Sequence, residues 1–197
     1  MTASSKAALD ITSLDIASLG RAEQDMNYFA LFGLNTQFEL DTQALAETYR
    51  GLQMQFHPDK FAAHSERERL QAVQASAYIN DAYTTLKNPL HRAEYLLSLH
   101  DVALNAEQQT LKDPQFLMQQ MDWREQLEEL PAAPNVFAAI LAFDQELQQA
   151  SRDYYAELTQ QLAVADWSAS ADTVRKLKFM TKLHAELERL EDAQQDF

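Results

Sequence analysis

From Asn27 onward, apolar side chains come in blocks and stripes. "NYFALFGL" is a short apolar block containing Gly33, a residue suited to the left-handed cap of a helix. In "FELDTQALAETYRGLQMQF", Leu45, Tyr49, Leu52 and Phe56 recur at helical steps and mark one face. Asp41 or Thr42 caps its start, because a side-chain oxygen there accepts from an unpaired backbone N–H. Pro58 stops the helix by pushing its predecessor out of the α region. Residues 57 to 65 read as a loop. A long helix follows from Glu66 to Leu86, with Leu70, Val73, Ala77 and Tyr83 on or near one face and Ile79 and Leu86 beside it. Two such helices joined by a short loop pack antiparallel, with their apolar faces against each other and the "YFALF" block. "KNPLHRAEYLLSLH" restarts a last helical piece near Pro89.

Periodicity is weakest over 101 to 113, "DVALNAEQQTLKD". Three helices are expected beyond it, from Pro114 to Leu130, Asn135 to Val164 and Trp167 to Gln194, broken by "LPAAP" and "ADWSAS". A three-helix bundle is the simplest way to bury their stripes. The expected organisation is a leader over 1–26, a first domain over 27–100, a linker over 101–108 and a second domain over 109–197.

The first helix of the second half carries two apolar sets. At about 100° per residue, Phe116, Trp123, Leu127 and Leu130 fall in one narrow stripe. Leu117, Met118 and Met121 fall on the far side with Asp122, Glu125, Glu128 and Glu129. Either the buried face is unusually wide, or the second set is a binding surface in which adaptable methionines meet a partner and carboxylates select a basic one. Phe179 lies off the stripe of Leu177, Met180, Leu183 and Leu187 and would join that surface if the helices pack side by side.

Composition supports an all-α chain. Among 197 residues there are only 3 Gly and 5 Pro, too few for the tight turns of a sheet protein, and hydrophobic residues make up 46%. A formal net charge of −14 argues against direct binding of nucleic acid, which needs a basic patch to displace counterions. The absence of cysteine excludes disulfides and thiolate zinc sites. No stretch approaches about 18 uninterrupted apolar residues, so no membrane span is expected. Residues 1–26 lack a signal peptide's apolar centre and a transit peptide's arginines. They are expected to form a mobile tail on a cytoplasmic, bacterial protein.

The loop sequence "FHPDKF" places His57, Pro58 and Asp59 together. A His–Asp pair can serve as general base and orienter, but no Ser or Cys nucleophile motif stands nearby. His57, Asp59 and His64 are possible metal ligands whose spacing matches no common site. A second metal reading uses His100 and Asp101, the "HD" pair of all-α phosphohydrolases, with His91 or a more distant histidine upstream. Taken alone, the three letters describe an ordinary loop.

Their surroundings add more. "YFALFGL", an amphipathic helix, "FHPDKF" and then "INDAYTTLKNPLHRAEY" together resemble the J-domain family, co-chaperone modules that activate 70-kilodalton heat-shock ATPases. His57, Pro58 and Asp59 match the family's signature tripeptide. The resemblance implies that this trio triggers ATP hydrolysis in the partner, so that the chain is itself no enzyme. Pro58 preorganises the loop, Asp59 suits a bidentate arginine, and His57 offers a donor and an acceptor. One departure stands out: the helix before the loop carries only Arg50 and Glu47, with Lys60 in the loop, so electrostatic steering is weak and a second contact must supply affinity.

The second half carries a resemblance too. "NPLHRAEYLLSLH", "FLMQQMDWREQLEEL" and "WSASADTVRKLKFMTKL" are similar to the HscB family of J-domain co-chaperones in bacterial iron–sulfur cluster assembly. This resemblance implies that a C-terminal three-helix domain holds an IscU-type scaffold protein through Leu117, Met118, Met121, Asp122, Glu125, Glu129 and Phe179. It implies that the J-domain, through His57, Pro58, Asp59, Lys60 and Arg50, presents the scaffold to an HscA-type chaperone. No cofactor is implied. The cysteine pairs that some eukaryotic relatives carry in an N-terminal segment are absent from residues 1–26.

Overall fold

The computed structural model describes residues 27–104 and 113–195; the leader over 1–26 and the second half of the expected linker, 105–108, lie outside them. The chain divides into two compact units between Leu96 and Leu97. All regular structure among the described residues is helical, as composition and periodicity predict.

The first unit contains α1 (Tyr28–Leu31), α2 (Thr42–Phe56), a 3-10 turn (Pro58–Phe61), α3 (Glu66–Lys87) and most of α4 (Pro89–Ser98). Its ends are set by local chemistry. Asp41 caps α2 by accepting from Gln43 and Ala44 N–H at 2.9 and 3.0 Å. Asn88 caps α4 in the same way, with Pro89 at its first position. Gly33, at φ 65°, closes α1: Leu34 N–H reaches back to the Phe29 carbonyl and Gly33 N–H to that of Ala30.

The core of this unit differs from the expected one on α3. Leu70 and Val73 are 59% and 52% exposed, and Ala77 also faces solvent. The buried side chains are Ala72, Ala75, Ile79, Ala82 and Leu86. The reason lies on α2, whose Leu45, Leu52 and Phe56 are buried as expected. Large side chains on one helix need small ones opposite if the axes are to approach closely. The buried face therefore combines three alanines with Ile79 and Leu86, and Leu70 and Val73 are left outside.

The second unit contains α5 (Pro114–Glu129), a 3-10 turn (Leu130–Ala132), α6 (Val136–Ala163) and α7 (Trp167–Gln195). Asp113, Asn135 and Asp166 cap the three helices through their side-chain oxygens. Here the expected stripes are the core. Phe116, Trp123, Leu127 and Leu130 pack with Ile140, Phe143 and Leu147 of α6 and Met180, Leu183 and Leu187 of α7. Trp123 satisfies its indole N–H by donating to Glu146 Oε1 at 2.7 Å.

Candidate functional site

The first group of candidate residues occupies the turn after α2. His57 is held extended, at φ −62° and ψ 128°, as the following proline requires. Its carbonyl accepts from Lys60 N–H at 3.0 Å, and its Nδ1 accepts from Asp59 N–H at 3.3 Å. Ala62 N–H bonds to the Asp59 carbonyl and His64 N–H to that of Phe61. Ser65 then opens α3 with a reciprocal capping box: Ser65 N–H donates to Glu68 Oε2 at 3.0 Å and Glu68 N–H to Ser65 Oγ at 3.3 Å. Hydrogen bonds from the Ser65 hydroxyl and amide hold the Glu68 carboxyl below its ordinary range. The turn is thus tied at both ends.

This geometry favours display over catalysis. The His57 and Asp59 side chains are 57% and 91% exposed, with Nδ1 3.6 Å from Asp59 Oδ2. The carboxylate does reach the ring, but at a nitrogen already accepting from the Asp59 amide. A neutral ring therefore carries its proton on Nε2, beside an acceptor-only carboxylate. Donor and acceptor side by side suit docking onto a partner's polar groups. Arg50 on α2 and Lys60 in the turn are both exposed.

The two helices flanking the turn, α2 and α3, are tied together by a side-chain cluster of which periodicity singles out Tyr49 and Tyr83 but not Gln53 or Asn80. Tyr49 Oη and Gln53 Nε2 both donate to Asn80 Oδ1, at 2.9 and 2.7 Å, and the Tyr49 and Tyr83 rings stack at 3.9 Å. The signal available in the sequence was Asn80, a polar residue next to the apolar Ile79 inside a long helix.

His100 and Asp101 are placed differently from a metal pair. Asp101, at φ 58°, is the left-handed residue closing α4: its N–H bonds to the Ser98 carbonyl, and Val102 N–H bonds to that of Leu97. The His100 ring stacks on Trp167 at 3.8 Å. Among the described residues, no group of three or more His, Cys, Asp or Glu side chains stands close enough to hold a metal ion.

The second group lies on α5, opposite the core stripe. Leu117, Met118 and Met121 are 40%, 67% and 72% exposed, so the buried face is not widened to include them. Asp122, Glu125, Glu128 and Glu129 are exposed beside them, all within an arc of about 140°. Phe179 on α7 is half-buried at the seam with α5. Its ring lies 5.8 Å from Phe116 and stacks on Trp123 at 6.2 Å.

Two cations, neither singled out by the sequence pattern, join α5 to α7, one of them over that ring. Arg124 lies over Phe179 at 5.6 Å and reaches Glu186 Oε2 at 3.3 Å. It is the lone cation among the carboxylates of α5. Lys176 Nζ lies 2.8 Å from Asp113 Oδ2 and over the Phe116 and Tyr154 rings at 5.4 and 5.5 Å. The Lys176 bond and the Phe116 N–H hold the Asp113 carboxyl below its ordinary value. Burial opposes the charge on Lys176, but the Asp113 carboxylate outweighs it and raises the lysine.

Comparisons with known proteins extend over most of the chain. Residues 112–196 match the family described as the HSCB C-terminal oligomerisation domain. A co-chaperone protein HscB homolog from Vibrio cholerae is 58% identical over 167 residues, spanning 85% of this chain and 98% of the relative. The solved structure of chaperone HscB from Vibrio cholerae superposes with a TM-score of 0.82 at 57% identity, covering 85% of this chain and 99% of that one. The crystal structure of human co-chaperone protein HscB gives a TM-score of 0.80 at 27% identity, covering 85% and 83%.

Proposed function

The chain belongs to the HscB co-chaperone family, an all-α J-domain followed by a C-terminal helical bundle, and from that premise we propose that it delivers an IscU-type iron–sulfur scaffold protein to an HscA-type heat-shock ATPase. In this reading Leu117, Met118, Met121, Asp122, Glu125, Glu129 and Phe179 hold the scaffold. His57, Pro58 and Asp59, with Lys60 and Arg50, engage the ATPase and trigger hydrolysis. The hydrolytic chemistry resides in the partner, and this chain contributes contacts only. We place the work in the bacterial cytoplasm; no described helix is long and apolar enough to cross a membrane.

The observation that carries this reading is the α5 surface. Three large apolar side chains stand exposed on the side of the helix opposite its core stripe, framed by carboxylates. A solvated helix face is ordinarily polar, whereas a docking face combines adaptable apolar contact with charge selection. The His57–Asp59 turn supports the other half of the reading. It is rigid, exposed and polar, so little ordering entropy is lost on docking. Two modest contacts, one per partner, act together by raising effective concentration once the three proteins assemble.

Steady-state ATPase measurements with chaperone and scaffold test the reading. His57→Gln and Asp59→Asn should each abolish stimulation while leaving melting temperature and scaffold binding unchanged. Undiminished stimulation by both variants would remove the trigger role. Absence of scaffold binding by the intact protein would remove the cargo assignment and leave a J-domain co-chaperone for another client.

A further inference from the structure

The described methionines fall into two classes. Met118 and Met121 are 67% and 72% exposed and Met54 is 65% exposed, whereas Met180 in the bundle core is 1% exposed. Met118 and Met121 are three residues apart on α5, so their thioethers share one patch. That patch is flanked by Asp122, Glu125, Glu128 and Glu129. A thioether is soft, apolar and open to oxidation where solvent reaches it, and oxidation turns it into a polar, chiral sulfoxide.

We propose that Met118 and Met121 form a reversible oxidation site that closes the α5 docking surface, the oxidant being a peroxide. The inference rests on the assignment of that surface to scaffold binding. In the step itself, a sulfur lone pair attacks one oxygen of hydrogen peroxide. The S–O bond forms as the O–O bond breaks, and the departing hydroxide takes up the proton that the transferred oxygen gives up and leaves as water. Sulfur loses two electrons and the peroxide gains them. Methionine sulfoxide reductases reverse the change, one enzyme for each sulfoxide epimer.

The surroundings make the sulfoxide costly at an interface. Docking buries these side chains, and a buried S=O dipole needs a hydrogen-bond donor. The ionised carboxylates around the patch are acceptors only and supply none. The fold is spared, because neither side chain belongs to the core that Phe116, Trp123, Met180 and their neighbours build. Met180, on the same unit but sealed from solvent, is an internal control.

The experiment treats the intact protein with hydrogen peroxide and follows each methionine by peptide mass mapping. Scaffold affinity is measured before oxidation, after it, and after repair by both reductases. Met118 and Met121 should gain oxygen at least about tenfold faster than Met180, and scaffold Kd should rise about tenfold with melting temperature unchanged. Repair should restore the affinity. In Met118→Leu with Met121→Leu, whatever its starting affinity, peroxide should cause no further change. Oxidation of Met180 in step with the others, an unchanged Kd with both sulfoxides in place, or an equal loss in the double variant would each overturn the proposal. Reduced protein that binds no scaffold would remove the docking assignment and the switch together; binding that peroxide leaves unaltered would remove the switch alone.

Discussion

Helices α3 and α5 each carry two sets of apolar side chains, and they bury different mixtures. Helix α5 turns its bulk inward, sealing Phe116, Trp123 and Leu127 against large residues of α6 and α7. Helix α3 buries the alanines Ala72, Ala75 and Ala82 together with Ile79 and Leu86, and leaves Leu70 and Val73 in water. The size of a helix's own side chains therefore does not decide which face goes inside. The facing helix decides. Opposite α2, with Leu45, Leu52 and Phe56, the face of α3 on which alanines lie between Ile79 and Leu86 gives the closer approach. The two outward sets also differ. Leu117, Met118 and Met121 stand with four carboxylates on one arc, and that combination is what the proposed docking role of α5 rests on.

Truncating the inward bulk of α5 should break the contrast most severely. Trp123→Ala empties a core position and leaves Glu146 without its indole donor; urea unfolding should show a loss of about 3–5 kcal/mol. Enlarging the inward small face of α3 comes next. Ala75→Leu forces α2 and α3 apart and should cost about 1–3 kcal/mol by overpacking.

The outward sets sharpen the comparison. Leu70→Ala with Val73→Ala, and Leu117→Ala with Met121→Ala, should each change unfolding free energy by less than about 0.5 kcal/mol per site. Only the α5 pair should weaken scaffold binding, measured by calorimetry. A large drop in melting temperature for the α5 pair would make those side chains core.

The smallest expected effect concerns pH. A carboxyl whose folded-state pKa lies below its unfolded value stabilises the fold above the unfolded value and gives this up as pH falls through the folded one. Asp113 is such a group. Asp113→Asn should therefore be slightly less stable than wild type at neutral pH, and the gap should close as acid titrates the wild-type carboxyl. Parallel melting curves across that range would show it.

Much of this was legible in the sequence because it is local. Gly33 at a helix end, Asp41 as a cap, Pro58 as a stop and the stripe of Leu45, Leu52 and Phe56 each depend on residues within a turn or two, and the structure contains them all. The aromatic stripe of α5 was equally plain, since Phe116 and Trp123 are too large to leave in water. The α3 face was misread because Leu70, Val73 and Ala77 satisfy the same periodicity that Ala72, Ile79 and Leu86 do, one set on each side of the helix. Asn80, Arg124 and Lys176 were missed because their roles consist of partners far away in sequence: Tyr49, Glu186 and Asp113.

The sequence by itself determined helical class, helix ends, the His57–Pro58–Asp59 turn and membership of the HscB family, all of which follow from short-range spacing or from identity along the chain. The tertiary structure alone decided which face of α3 is buried, that Leu117, Met118 and Met121 stay exposed, and that Arg124 and Lys176 pin the helix that carries them. Periodicity fixes which side chains share a face. Which face is removed from water depends on the shape of the helix opposite, and that is a property of the packed pair rather than of either stretch of chain.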